Sequence, residues 1–131
     1  MTTISAPDRL AIERLYGEYN HAIHRGDGEA WAACFTRDGV FSNRAESVTG
    51  RAALSAYASE FSRNRDRRYW IGNLVLEPTA EAVEGICYLM ILGIGGGDEL
   101  PRVTLTGLYT NSMVRNETSW LFARRHVARD L

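Results

Sequence analysis

The order of elements along the chain predicts an α+β domain built on an antiparallel sheet. Three helical patterns come first and four long strand patterns follow, joined by turns too short for the crossovers that parallel pairing requires. The first two long strand patterns are apolar on both faces, so both faces of the sheet are expected to be covered.

Each element has its own signal. Ser5 followed by Asp8, with Pro7 in the first turn, marks a helix start. Ile12, Leu15, Tyr16, Tyr19 and Ile23 then recur on one helical face until Gly26. Asp27 caps a shorter helix carrying Trp31, Ala32 and Phe35. Asp38-Gly39 is a turn, and Val40-Phe41 and Ser47-Val48 read as short strands. Thr49 is placed to cap a third helix, from Gly50 to Arg63, with Leu54, Tyr57, Ala58 and Phe61 on its buried side. Strands are expected over Arg68 to Glu77, Ala82 to Gly93, Arg102 to Val114 and Trp120 to Ala128. Asn116-Glu117-Thr118 is the turn before the last strand, and its match to a glycosylation acceptor is read as chance.

With 131 residues the chain fits one domain over 1–131 and can bury a real core. A net charge of −1 and 45% hydrophobic residues describe a soluble globule without a nucleic-acid-binding field. The longest apolar run, Ile86 to Ile94, is too short to span a bilayer, and no signal-peptide pattern opens the sequence. The cytoplasm is the expected compartment, and Cys34 and Cys87 are expected as reduced, small hydrophobes. Fifteen arginines and no lysine exclude lysine Schiff-base chemistry and the phosphate-loop lysine within this chain. The arginine runs Arg63, Arg65, Arg67, Arg68 and Arg124, Arg125, Arg129 are interleaved with acids and read as solvated faces or subunit contacts.

The residues able to carry chemistry fall in three places. Tyr16, Asn20 and His24 are spaced four apart along one edge of the first helix. The Tyr69–Asn73 pair lies on the first long strand, and Tyr109, Asn111 and Met113 share a face of the third. His24 is either a boundary histidine favoured by the helix C-terminus or a group facing the space between helices and sheet. His21, His24 and His126 lack the spacing of a helical zinc pair, so no metal site is expected. No dinucleotide fingerprint is present, and no cofactor is expected.

Several segments in their order resemble the SnoaL-like group of the nuclear-transport-factor-2-like cone folds, which includes scytalone dehydratase and polyketide cyclases. They are Tyr19 to Asp27 with Trp31 and Phe35, then Phe35 to Phe41, Gly50 to Leu54, Arg68 to Asn73, Gly107 to Asn111 and Trp120 to Arg125. The resemblance implies a strongly curved, mostly antiparallel sheet wrapping three N-terminal helices into a cone with an internal apolar pocket. It places the aspartate and histidine of the group's dehydratases on His24 and Tyr69, and a second histidine on Cys87. Substrate-holding polar groups fall on Asn111 and Met113, so the usual acid–imidazole pair is replaced here.

The resemblance therefore implies a cofactor-independent dehydratase, isomerase or cyclase for a small, largely apolar oxygenated or aromatic molecule. His24, Tyr69 and Asn111 are its candidate catalytic residues, with His24 as base or acid, Tyr69 or Tyr109 as donor and Asn111 orienting the substrate. Tyr16, Asn20, Tyr57, Phe61, Cys87, Tyr109 and Met113 are the candidate binding residues. The competing expectation is a ligand-binding or scaffold protein of the same fold, its tyrosines acting only as core aromatics. The second apolar sheet face points to a homodimer or higher homo-oligomer, with no nucleic acid or membrane as partner.

Overall fold

A computed structural model describes residues 3–60 and 66–131. Phe61, Arg63 and Arg65 lie outside the described residues. Helix α1 (Ala6–His24) begins where the sequence places it: Ser5 Oγ accepts the Asp8 N–H at 3.2 Å. Helix α2 (Gly28–Ala33) is capped by Asp27, whose carboxylate accepts the Ala30 N–H at 3.0 Å. Phe35 is not part of that helix; it opens strand β1 (Phe35–Ser42), longer than the two residues expected. Thr49 does not cap the third helix either. It closes strand β2 (Ser47–Thr49), and Gly50, at φ +88°, makes the turn into α3 (Arg51–Glu60). Left-handed backbone is open to glycine at little cost, which explains the displacement by one residue.

Four long strands complete the chain: β3 (Arg67–Pro78), β4 (Val83–Gly93), β5 (Arg102–Arg115) and β6 (Trp120–Arg129). They form one six-stranded sheet in the order β2-β1-β6-β5-β4-β3. Every neighbouring pair is antiparallel except β1 with β6, which run parallel across the long excursion through the rest of the chain. The fold is thus the α+β arrangement expected, a curved and mostly antiparallel sheet with the helices inside its curve.

One-residue bulges interrupt three of the ladders, at Thr104 of β5 and in β3 and β6, and the latter two bend the sheet and exchange its faces around the core. In β3 the register slips between Gly72 and Val75, with Asn73 at φ +57°. Tyr69 and Ile71 point inward before it, Leu74 and Leu76 after it, and Val75 is left exposed. The unbroken alternation expected for this strand therefore fails at Asn73. In β6, Met113 pairs with Phe122 but Ser112 pairs with Arg124, so Ala123 is the extra residue. Trp120 and Phe122 face the core before it, Arg125 and Val127 after it. Such insertions sharpen local twist, and here they curl the sheet around α1.

Inside the curve the core is aromatic. Tyr16, Tyr19, Trp31, Phe35 and Phe122 are almost fully buried, and their rings meet edge-on or tilted at 5.1–6.1 Å. The outer face of β3–β5 still exposes Trp70, Val75, Ile86, Tyr88 and Val103. Trp70 therefore points away from the interior. The second apolar face read from sequence is real in β4 and partly a product of the bulge in β3.

The first turn of α1 is tied to the start of β6. Asp8 Oδ1 accepts the Trp120 indole N–H at 3.1 Å and lies 3.4 Å from Arg115 Nη1. The indole bond, with Ser5 and Arg115 adding to it, holds the Asp8 carboxyl below its usual range. A lowered native pKa contributes stability above the unfolded value of about 3.9 and loses it as pH falls through the native one. The Tm gap between wild type and Asp8→Ala is expected to hold from neutral pH to about pH 4 and to close below it, read by thermal melts across pH.

Candidate functional site: a phenol-lined cavity over a buried guanidinium

A cavity of about 200 Å³ opens between the helices and the concave face of the sheet. Tyr19 and Ile23 of α1, Trp31 of α2 and Tyr57 of α3 form one wall. Tyr69 of β3, Leu89 and Ile91 of β4, Leu105 and Tyr109 of β5 and Val127 of β6 form the other. Asn43, Arg67 and Arg129 add polar groups to the lining. Four phenols thus share a largely apolar space with one amide and two arginines.

Burial decides the state of those phenols. It pushes Tyr57 up to about 12, and raises Tyr69, Tyr109 and Tyr19 above the ordinary tyrosine value. All four hydroxyls stay protonated at neutral pH and can donate hydrogen bonds. Among the described residues, no carboxylate or imidazole lines the cavity.

Directly behind this wall lies Arg125, with no exposed surface. Its guanidinium carbon stands 3.6 Å from the Tyr109 ring centre, 4.2 Å from Tyr19, 4.6 Å from Phe122 and 4.9 Å from Tyr16. None of its three nitrogens has a protein acceptor within hydrogen-bonding distance. Cys87 is its polar neighbour, but burial raises that thiol more than the guanidinium lowers it, so no thiolate balances the charge. Cation–π contacts of about 0.5–2 kcal/mol each offset part of a burial cost of several kcal/mol.

Beside Arg125 is a second buried polar cluster. Asn111 Nδ2 donates to the Tyr16 hydroxyl at 2.8 Å, and that hydroxyl reaches Met113 Sδ at 3.5 Å. Gly85 makes room for it: a Cβ there would come within 2.5 Å of the Tyr16 oxygen. Tyr16, Cys87, Asn111 and Met113 are all buried and none of them lines the cavity. Of the residues singled out from sequence, Tyr57, Tyr69 and Tyr109 meet in the cavity.

His24 and Asn20 take another position. His24 Nδ1 donates to the Arg67 carbonyl at 2.8 Å, and Asn20 Nδ2 to the Tyr69 carbonyl at 3.4 Å. Arg68 Nη1 lies 2.9 Å from His24 Nε2, which suits the tautomer with its proton on Nδ1. The spacings match: four helical residues advance about 6 Å and two strand residues about 6.7 Å. One edge of α1 therefore satisfies consecutive outward carbonyls of β3, the strand at the edge of the sheet. His24 borders a surface depression with Asn20, His21, Arg68 and Tyr69, and Tyr69 is common to this depression and the cavity.

Sequence reasoning missed Tyr19, Trp31, Asn43, Arg67, Arg129 and, above all, Arg125. Helical spacing puts Tyr19 on the inner face but does not distinguish a cavity wall from packed core. Arg125 was read as solvated or as a subunit contact because its arginine run is interleaved with acids; plain alternation from Trp120 and Phe122 would also send it outward, and the Ala123 bulge brings it in. His126, on the outer face, pairs with Ser42 Oγ at 2.8 Å. No group of three His, Cys, Asp or Glu side chains among the described residues is arranged to hold a metal ion. No helix among them is long and apolar enough to cross a membrane.

A curved sheet wrapped over helices, with a small cavity between them, defines a cone-shaped α+β protein. The chain belongs to the SnoaL-like domain family, which matches residues 5–126. A protein of unknown function from Mycobacterium tuberculosis is 27% identical, with a TM-score of 0.86 over 95% of this chain and 72% of that one. A Catenulispora acidiphila protein, solved in complex with a compound called S-DNPA, is 25% identical, with a TM-score of 0.82 over 96% of both chains. A candidate scytalone dehydratase from Novosphingobium aromaticivorans shares the fold at 20% identity, with a TM-score of 0.82 over 95% of this chain and 85% of that one. Among curated proteins, none matches.

Replacing His24 by Ala frees the Arg67 carbonyl to water rather than opening the cavity. The expected cost is about 0.5–1.5 kcal/mol in urea unfolding, the net worth of one partly exposed hydrogen bond. Amide exchange should rise in β3 and remain unchanged in β5.

Proposed function

We propose that the cavity binds a small, largely apolar oxygenated or aromatic molecule, and that the chain is a cofactor-independent lyase or isomerase acting by proton transfer. The observation that carries this is the convergence of four protonated phenols on an apolar space. Dehydration, isomerisation and cyclisation next to a carbonyl share one demand: negative charge grows on an oxygen as a carbon-bound proton leaves. Phenolic donors fixed in a water-poor site stabilise that oxygen more than they stabilise the neutral carbonyl. Tyr69 of β3 and Tyr109 of β5, which both line the cavity, fill this role. Asn111 acts at one remove, bonding Tyr16 behind the wall, and His24 acts by holding the backbone of β3 on which Tyr69 stands. Family membership and the dehydratase-named structural neighbour support the same class of chemistry.

A second reading has its own observation. No carboxylate or imidazole lines the cavity among the described residues, which favours a binder without turnover. Enolisation of 2-tetralone, followed as α-proton exchange in heavy water by NMR, separates the two. An enzyme accelerates the exchange, and Tyr69→Phe and Tyr109→Phe each lower the rate by about 10- to 1000-fold, the scale of one lost oxyanion donor. Because the phenols titrate above their ordinary value, the donor effect persists through neutral and mildly alkaline pH and fails only above it. Ligand shifts without faster exchange identify a binder.

We also infer that the outer sheet face associates with a second copy of this chain. Trp70, Ile86 and Tyr88 are 47%, 41% and 60% exposed and cluster on β3 and β4. Contiguous exposed apolar surface of this kind marks an interface. Sedimentation should show a dimer or higher oligomer for wild type and a folded monomer for Tyr88→Glu; a wild-type monomer removes the inference.

A further inference from the structure

Among the described residues Arg125 is the one buried charged side chain, and the donor role of the phenols leaves its placement unexplained. A buried cation normally sits against a carboxylate or several carbonyls, since an unpaired charge in the interior is strongly disfavoured. Here three guanidinium nitrogens have no protein acceptor. None of the ion pairs among the described residues includes Arg125. Two of the four rings around it, Tyr109 and Tyr19, are also the cavity wall. The charge therefore stands one ring thickness behind the space a ligand occupies.

That geometry has two electrostatic effects. A cation over the face of a phenol draws electron density from the ring, so its hydroxyl donates more strongly. The positive potential also extends into the cavity, where low-dielectric walls screen it weakly. We propose that Arg125 is a positioning residue for the cavity: acting through Tyr109 and Tyr19, it selects aromatic ligands that carry or develop a negative oxygen, such as carboxylates, phenolates and enolates. This rests on the cavity assignment made above and adds the charge class of the ligand. The bulge at Ala123 serves the same end, because without it β6 would present Arg125 to the outer face.

Benzoate and benzyl alcohol, alike in shape and different in charge, test this by calorimetry on the intact protein at neutral pH. Wild type is expected to bind benzoate about tenfold more tightly. The preference should survive about 1 M salt, which screens the rim charges of Arg67 and Arg129 but not a sealed one. In Arg125→Met the preference disappears while benzyl alcohol still binds, and the tyrosinate absorbance of the cavity phenols appears at higher pH. Arg125→Lys keeps part of the preference. A merely structural arginine would lower Tm on replacement by Met; an uncompensated charge predicts that Tm of the empty protein rises. Equal binding of the two compounds by wild type overturns the proposal, and needs no variant to fold; so does a preference that persists in Arg125→Met. If neither compound binds wild type, the cavity assignment itself fails, whereas benzyl alcohol binding without an anionic preference removes only the role of Arg125.

Discussion

A single extra residue in the last strand governs what lies at the centre of this protein. Ala123 has no partner in the pairing of β6 with β5, and the strand changes faces across it. Before the insertion, Trp120 and Phe122 pack beneath α1; after it, a guanidinium enters a cage of four rings. Bulges also add twist, so the same residue helps curl the sheet far enough to enclose a cavity. Shape and charge at the core thus have one local origin.

The cage is a compromise between packing and electrostatics. Tyr16, Tyr19, Tyr109 and Phe122 give the cation faces but no acceptor, and Cys87 stays a thiol because burial outweighs its charged neighbour. Net stability of a domain is only about 5–15 kcal/mol, so a permanently unbalanced charge is a large liability. Natural sequences tend to break local rules of this kind at functional sites. The Tyr16–Asn111 bond next to it satisfies the Asn111 amide N–H and leaves Asn111 Oδ1 without a protein partner among the described residues.

How much the sequence reveals follows from the range of the interactions involved. Caps at Ser5 and Asp27, the inner face of α1 and the four long strands are local, and each was legible. So was the alternation of β4, where Cys87, Leu89 and Ile91 face inward and Tyr88 outward. Phe35 and Thr49 were misplaced by a residue or two, where helix ends and strand starts compete for the same positions. Asn73 and Ala123 defeated the reading more seriously, because a bulge is set by pairing with a distant strand and reverses every side chain after it. The site suffered accordingly. Tyr57, Tyr69 and Tyr109 were found, while Tyr19 was taken as core and Arg125 as surface. His24 and Asn20 do share an edge of α1 as their spacing indicated, but that edge meets backbone carbonyls of β3.

The way α1 seals β3 has a consequence for how copies of this chain can meet. An unpaired strand margin templates the addition of further strands, and a sheet with two open margins can grow without limit. One margin here carries the side chains of Asn20 and His24 across it, and the other is β2, only three residues long. At the first margin an added strand would have to displace those α1 side chains from the Arg67 and Tyr69 carbonyls, and at the second it would find a strand of three residues. Fibrous growth by strand addition is thereby hindered where α1 crosses β3, which favours association through broad surfaces, where symmetry closes the assembly at a fixed number of subunits.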